Sequence, residues 1–494
     1  MDIISIKPLL AVSVSLICSL LILAFRRNKN IRESWTILAS FIKFLIVASM
    51  IPAILRGDTI VYTVISILPE IPFKFRVDAF GLFFGLLASF LWILTSFYSI
   101  GYMRSLKEHS QTRYFACFAV ALSATMGIAF AANLLTLFVF YEILTISVYP
   151  LVIHKETPEA RSAGIKYLVY TLSGGVVLLF AIIISYSFAG TLTFSDHGFL
   201  AGCASREILQ MLFILFIIGF GVKSAIMPLH SWLPTAMIAP TPVSALLHAV
   251  AVVKAGVFGI VRVIYFVFGV DLVSELGLGI SLAYFVSFTI IVASMFALVQ
   301  DNLKRRLAYS TISQLSYIIL GASLLTPHGL IGGILHIVHH AFMKITLFFC
   351  AGAIYVVTRK ENISEMNGIG RGMPITMLMF FIAVLGMCGF PPVCGFISKW
   401  YLLLGSVEAD QLPIVVILLT SSLLNVAYFF PIVFVAFFKK PEKEPKSKEA
   451  PIFILLPLTL TAIISLILGI WPDAPYSFFQ IANIVFQNVT GGVI

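Results

Sequence analysis

FGVKSAIMPLHSWLPTAMIAPTPVSALLHAVAVVKAGVFGIVR, residues 220–262, sets two lysines, Lys223 and Lys254, in otherwise apolar runs and places Pro228 where a helix is expected. A charge at the centre of a bilayer costs about 2.5–3.5 kcal/mol on insertion scales. A proline inside a helix removes a donor and frees a carbonyl that lipid cannot satisfy. Both costs are tolerable where the segment lines a hydrated path through protein. The stretch therefore predicts a membrane-embedded polar site, not a lipid-facing helix.

The rest of the chain supplies the membrane protein around it. Of 494 residues, 60% are hydrophobic and 11% charged; a soluble domain is nearer half apolar and a quarter charged. One large helical bundle is expected. Runs long enough to cross a bilayer core occupy approximately 8–25, 35–55, 79–101, 114–131, 134–153, 165–189, 207–227, 242–268, 277–299, 307–325, 329–357, 374–400, 412–438 and 451–471. The expected fold is an all-α membrane protein with fourteen transmembrane helices, and residues 472–494 form a tail at the interface. No positively charged segment precedes the first run, which is therefore expected to be retained. The six cysteines (Cys18, Cys117, Cys203, Cys350, Cys388, Cys394) form no CxxC and no zinc or iron–sulfur spacing. They read as small buried hydrophobes, and no cofactor or metal is expected.

The net charge of +10 invites a nucleic-acid reading. The basic residues, however, sit in short loops between apolar runs, which is a topology signal. Loops after odd-numbered runs hold 20 Lys and Arg, and the opposite side holds five. This bias places both termini on the outer side. Residues 439–450, KKPEKEPKSKEA, read as a charged cytoplasmic linker.

Ionisable residues inside the runs are the candidate site. Glu142, in NLLTLFVFYEIL, lies about 13 Å along its helix from Asn133 at 1.5 Å per residue, near the midplane. Lys223 is its expected counter-ion. The alternative is a static pair that fixes helix packing. His248 precedes Lys254 by six residues, roughly 120° round an α-helix, so the two share no face. In HIVHHAFMKITLFF, His336, His340 and Lys344 recur every four residues and form one stripe. Histidine can pass a proton through either ring nitrogen near neutral pH, so the stripe reads as part of a proton wire; the alternative is a polar seam between helices. In MCGFPPVCGFISKW, Pro391 and Pro392 interrupt the twelfth run before Lys399. This is a second broken helix with a lysine attached. Paired interruptions in two halves point to a transporter site, and runs 4–8 and 9–13 would be the halves. Asp78, Asp301, Lys304 and Arg305 read as interfacial anchors or partner contacts. Lys166 reads as facing the Glu142–Lys223 pair or headgroups, and Lys43 as snorkelling to the membrane surface.

On NLLTLFVFYEIL, on KSAIMPLHSWLPTAMIAPTPVSALLHAVAVVKAG, on DNLKRRLAYSTISQLSYIILG, on HIVHHAFMKITLFFCAGA and on GFPPVCGFISKW, the chain resembles the antiporter-like subunits of respiratory complex I, membrane-bound energy-converting hydrogenases and Mrp-type cation/proton antiporters. The resemblance covers roughly residues 75–400. It implies two inverted five-helix repeats, helices 4–8 and 9–13, with helices 7 and 12 broken, and a hydrated polar axis at mid-membrane. The domain division that follows is 1–113, 114–268, 277–438, 439–450 and 451–494. The resemblance puts proton-transfer roles on Glu142, Lys223, Lys254, His336, His340, Lys344 and Lys399. The M-type complex I subunits carry glutamate where this chain has Lys399. The L type and Mrp A type share the HxxxHxxxK stripe but continue into a long lateral helix with no counterpart here. The D-type Mrp pattern is the nearest.

The expected function is proton translocation in a multisubunit complex of a bacterial or archaeal cell membrane, with other membrane subunits as partners and sodium as the coupling ion in the Mrp reading. A proton-pumping subunit of a complex I-like or hydrogenase assembly is the alternative, and a non-conducting scaffold is the third. No dinucleotide fingerprint or nucleophile arrangement suggests an enzyme in its own right.

Overall fold

The computed structural model describes residues 1–68, 71–441, 448–474 and 477–491. Twelve helices among these residues are long and apolar enough to cross a membrane. Two of the expected runs fall outside that set for different reasons. The helix Leu303–Ser323 has the length but is too polar, because Ser310, Thr311, Ser313, Gln314 and Ser316 lie along it, all buried against protein. The run at 374–400 divides into Pro374–Cys388 and Gly395–Glu408, each too short alone.

Side-chain caps set many of the helix starts. The Asn133, Asn302 and Thr326 side chains accept from the backbone amides of Thr136, Arg305 and Gly329, which satisfies donors a helix N-terminus leaves open. Thr157 does the same for Pro158–Ala189, with proline at the first helical position. That helix begins seven residues before the expected 165, so the Thr-Pro-Glu start signal outweighs the onset of apolarity.

The helix carrying Lys254 is the centre of the bundle: every residue from Thr241 to Phe268 is buried. The helices carrying Leu20, Ile146, Val176, Phe288 and Leu423 form the rim and expose these side chains. Such surface is stable only with hydrocarbon or a partner helix as solvent.

An all-α expectation misses a small sheet. Strands β1 (Asp2–Ile4), β2 (Thr59–Leu68) and β3 (Ile71–Val77) lie in the order β1-β2-β3, with β1 parallel and β3 antiparallel to β2. The run of β-branched and aromatic residues in TIVYTVISIL signals it. Backbone bonds carry the sheet edge onward: Arg76 N–H to Phe130 O, 2.8 Å; Phe194 N–H to Ala132 O, 3.1 Å; Ser195 N–H to Phe266 O, 3.2 Å. The belt ends on the C-terminus of the Lys254 helix.

Three assignments of charged residues change. Asp78 is not an interfacial anchor but a buried partner of Arg262, bonded to its guanidinium at 2.7 Å, and it also accepts from the Gly81 amide. Lys43 does not snorkel. It is fully buried, donating to Ser15 Oγ and to Leu122 O at 3.1 Å, with its ammonium 4.8 Å from the Trp92 ring. Lys166 reaches Thr235 Oγ1 at 3.3 Å rather than Glu142. Asp301 ties down the following loop, accepting from the Ser364 hydroxyl at 2.7 Å.

Residues 442–447 of the charged linker, with Lys443 and Lys446, lie outside the described residues. Its end is fastened: Glu449 accepts from the Ile375 amide at 2.6 Å and so caps the Pro374–Cys388 helix. Of the tail, 475–476 and 492–494 are outside the description, and Phe478–Thr490 is a helix with Ile481, Val485 and Val489 buried against the bundle.

Candidate functional site

The first break begins where the helix Arg206–Ser224 stops at Ala225 in the left-handed region (φ 56°). A cis Met227–Pro228 bond follows, and helix resumes at Trp232. The carbonyl of Val222, at the break, accepts from the Ala225 amide at 3.1 Å and also from the Trp232 indole at 2.8 Å. A Cβ on Gly256 would collide with the Ser224 amide, so the Lys254 helix meets the break backbone to backbone. Lys223, on the last turn before the break, donates to Tyr141 O and holds its ammonium 3.2 Å from the Tyr141 ring centroid.

Glu142 is next in sequence but does not pair with Lys223. Its carboxylate packs on Gly175, and Oε1 is buried without a partner. The two groups are neighbours with their ion pair open.

The Lys254 helix is itself irregular. Two π-helical segments, Leu246–Val250 and Val263–Phe268, flank the α-helical Val252–Arg262. Such π segments are frequent at functional sites. The first holds His248, so the phase assumed for an unbroken α-helix does not apply there. His248 is fully buried, its ring 4.8 Å from Phe348, with neither nitrogen bonded. Lys254 Nζ lies 2.9 Å from His340 Nδ1. That single contact joins residues 86 apart in sequence.

Beyond His340 the axis divides. Along the stripe, the His340 and His336 rings stand 6.1 Å apart. His336 is held by Ser398 Oγ at 2.8 Å and Gln314 Oε1 at 3.0 Å. Lys344 donates to Ser310 Oγ at 2.9 Å; Ser310 meets the Tyr428 hydroxyl at 3.1 Å; Tyr428 donates to Asn425 Oδ1; and Asn425 Nδ2 donates to Met387 O at 3.2 Å. Lys399 donates to the same Met387 carbonyl at 2.7 Å. This carbonyl is free because the helix ends at Cys388, before the cis Pro391–Pro392 bond. The Lys399 stem lies against Gly389, whose φ of 89° suits glycine.

The structure thus gathers Lys254, His340, His336, Lys344 and Lys399 into one buried polar system, with Lys223 and Glu142 across the Lys254 helix. Of these, only Glu142 is partly exposed. The sequence reading missed Ser310, Gln314, Ser398, Asn425 and Tyr428. Asn425 had a signal: an amide inside LLTSSLLNVAYFF is costly to bury unbonded, as a lysine is, and therefore marks a contact. The serines had none, since serine is ordinary in a membrane helix.

Residues 131–425 match the family described as NADH:quinone oxidoreductase/Mrp antiporter, TM. An NADH-quinone oxidoreductase subunit N from Desulforudis audaxviator is 30% identical over 440 residues, covering 85% of this chain and 86% of that protein. The D subunit of a Na(+)/H(+) antiporter from Alkalihalophilus pseudofirmus is 27% identical over 82% of each chain. Other relatives are longer, and the chain spans 46% to 61% of their length. The structure of an Mrp complex from Dietzia sp. DQ12-45-1b superposes with a TM-score of 0.89 over 98% of both chains at 19% identity, a likeness of fold. The chain belongs to the NADH:quinone oxidoreductase/Mrp antiporter family, as an antiporter-like, multi-pass subunit of prokaryotic membranes.

Proposed function

We propose that the chain translocates protons along the buried axis, as the D-type member of an Mrp-like sodium/proton antiporter working with other membrane subunits. The observation that carries the reading is the 2.9 Å contact between Lys254 and His340. It links the group of residues around the first break to the group around the second. In the proposed cycle, closure of the open Glu142–Lys223 pair favours the charged lysine and opening favours proton release. The proton passes to Lys254 and then to His340. From there it moves by water toward His336, Lys344 and Lys399, and it leaves beside the second break. Burial of His340 Nε2, of both His248 nitrogens and of Gln314 Nε2 without protein partners supports a hydrated axis, since buried polar atoms with room nearby recruit ordered water. Asn425 limits the alternative route. A side-chain amide accepts at oxygen and donates at nitrogen, so it cannot relay a proton as a hydroxyl does. The Ser310–Tyr428–Asn425 chain orients Lys344 and Lys399; water carries the proton between them.

In this reading the helices number fourteen. Leu303–Ser323 is the tenth, and the divided Pro374–Cys388/Gly395–Glu408 element is the twelfth. Residues 114–268 and 277–438 are the two inverted repeats, 1–113 precedes them, and both termini face outward. Lysine at 399 and the likeness across 82% of a D-type relative favour the Mrp branch. A second reading, a proton-pumping subunit of a redox complex, has its own support in the 30% identity to an NADH-quinone oxidoreductase subunit. Co-purification separates them: membrane subunits alone indicate the antiporter, and an iron–sulfur or nickel–iron arm indicates the redox pump.

The functional test is sodium-driven pH change in everted vesicles. Glu142→Gln and Lys223→Ala should abolish it while the complex still assembles. Full activity in either variant contradicts the wire and favours a non-conducting scaffold.

A further inference from the structure

Away from the axis, two short turns bring together a set of side chains that the transport reading leaves unused. One turn joins Ala79–Leu106 to Gln111–Ala129 and carries Glu108 and His109. The other follows Leu134–Val152, the helix of Glu142, and carries His154. One ligand atom from each of Glu108, His109 and His154 lies within 4.8 Å of the other two. His154 Nε2 is 3.8 Å from Glu108 Oε2, and the two imidazole rings are 4.9 Å apart.

His154 supplies a second, independent observation. Its side chain is fully buried, yet neither ring nitrogen has a hydrogen-bond partner. Its Nε2 faces the Glu108 carboxylate at a separation too long for a hydrogen bond. Buried imidazoles are ordinarily satisfied, so a ring left open in this way beside a second imidazole and a carboxylate points to a missing ligand. Arg113 holds Glu156 at 2.6 Å, and Glu156 also lies 3.9 Å from His109 Nε2; Glu108 is the carboxylate that faces His154.

We propose that Glu108, His109 and His154 form a binding site for a zinc-class divalent cation. Two imidazoles with one carboxylate suit zinc and do not suit calcium or magnesium, which take oxygen ligands. Metal–ligand distances of about 2.0–2.1 Å put tetrahedral ligands roughly 3.3 Å apart, so small rotations of the partly exposed Glu108 and His109 toward the fixed His154 complete the set. The fourth position is left to water. A bound ion cross-links the two turns and so fixes the end of the helix that carries Glu142. The neighbouring Lys155 lines a small cavity with Tyr102, Leu303, Lys304, Lys360 and Glu361, so the ion also adds charge near that cavity.

The test uses the chain purified within its complex, metal-stripped and with any affinity tag removed. Cobalt(II) is titrated as the probe while its visible d–d absorption is followed. The expected result is a saturable band equivalent to about one ion per chain, bleached by zinc(II). His109→Ala and Glu108→Gln, both at partly exposed positions, should each weaken cobalt and zinc binding by about tenfold or more, and His154→Ala should remove the band. A band of unchanged intensity and affinity in His109→Ala and Glu108→Gln overturns the proposal, as does the absence of saturable binding in the parent.

Discussion

The two helix breaks solve the same problem in opposite ways. At the first, the lysine precedes the interruption. Lys223 leans on a carbonyl and ring from another helix, those of Tyr141, and the Val222 carbonyl is shared by the Ala225 amide and the Trp232 indole. At the second, the lysine follows the interruption. Lys399 reaches back across Gly389 and itself takes the freed carbonyl, Met387 O. A carboxylate stands beside the first lysine, whereas the second has only neutral neighbours, Ser422 and Asn425 sharing its surroundings. The difference teaches that Lys223 sits where a nearby charge can switch its proton affinity, while Lys399 is held in place by the backbone.

Unequal losses on removing each lysine would sharpen this contrast, and equal ones would break it. Lys223→Ala should lower sodium-driven proton movement in vesicles by about 10²-fold or more, the scale of a lost acid–base group. Lys399→Ala should cost about tenfold, near 1.4 kcal/mol in barrier, because the His336–Ser398 pair remains beside it. Equal losses would remove the distinction between a switched and a held lysine.

Packing at the breaks gives a smaller effect on a different observable. A Cβ on Gly395 would strike the Gly386 carbonyl, and one on Gly256 would strike the Ser224 amide. Either glycine→Ala change should destabilise the protein by about 1–3 kcal/mol, the usual cost of overpacking, read as a lowered thermal midpoint in detergent. An unchanged midpoint would show that the breaks have slack.

The smallest expected effect belongs to the hydrogen-bonded spur that joins Lys344 to Lys399. Tyr428→Phe removes the hydroxyl that bridges Ser310 and Asn425, at a cost of about 1 kcal/mol. Transport should fall by a factor of about five, the same energy expressed as a rate, since the hydroxyl orients the lysines without carrying the proton. A loss as deep as that of Lys223→Ala would make this spur the conducting route.

The membrane bundle and the breaks were legible because hydrophobic length, proline and buried charge leave a mark that no tertiary context erases. Lys223, Lys254 and Lys399 could be picked out by cost alone. Contacts were less legible. Glu142 and Lys223 looked like a closed pair because opposite charges at similar depth attract, but the Tyr141 carbonyl and ring compete for the ammonium, and sequence does not show that competitor. Lys43 looked able to snorkel because its stem is long; the Ser15 hydroxyl and Leu122 carbonyl, far off in sequence, hold it inside. The π segments round His248 carry no local signature, and Asp78–Arg262 spans 184 residues. Ser310, Gln314 and Ser398 are common residues made functional only by what faces them.

The central claim is that one path crosses from the first group of residues to the second through Lys254 and His340. A double-substitution comparison in vesicles tests it directly: Lys254→Met, His340→Ala and the combined variant, each measured for sodium-driven proton movement at equal assembled complex. Residues acting as a unit are non-additive, so the account predicts that each single change loses as much as the pair. Full transport in either single variant, or losses that simply multiply in the double, would contradict it.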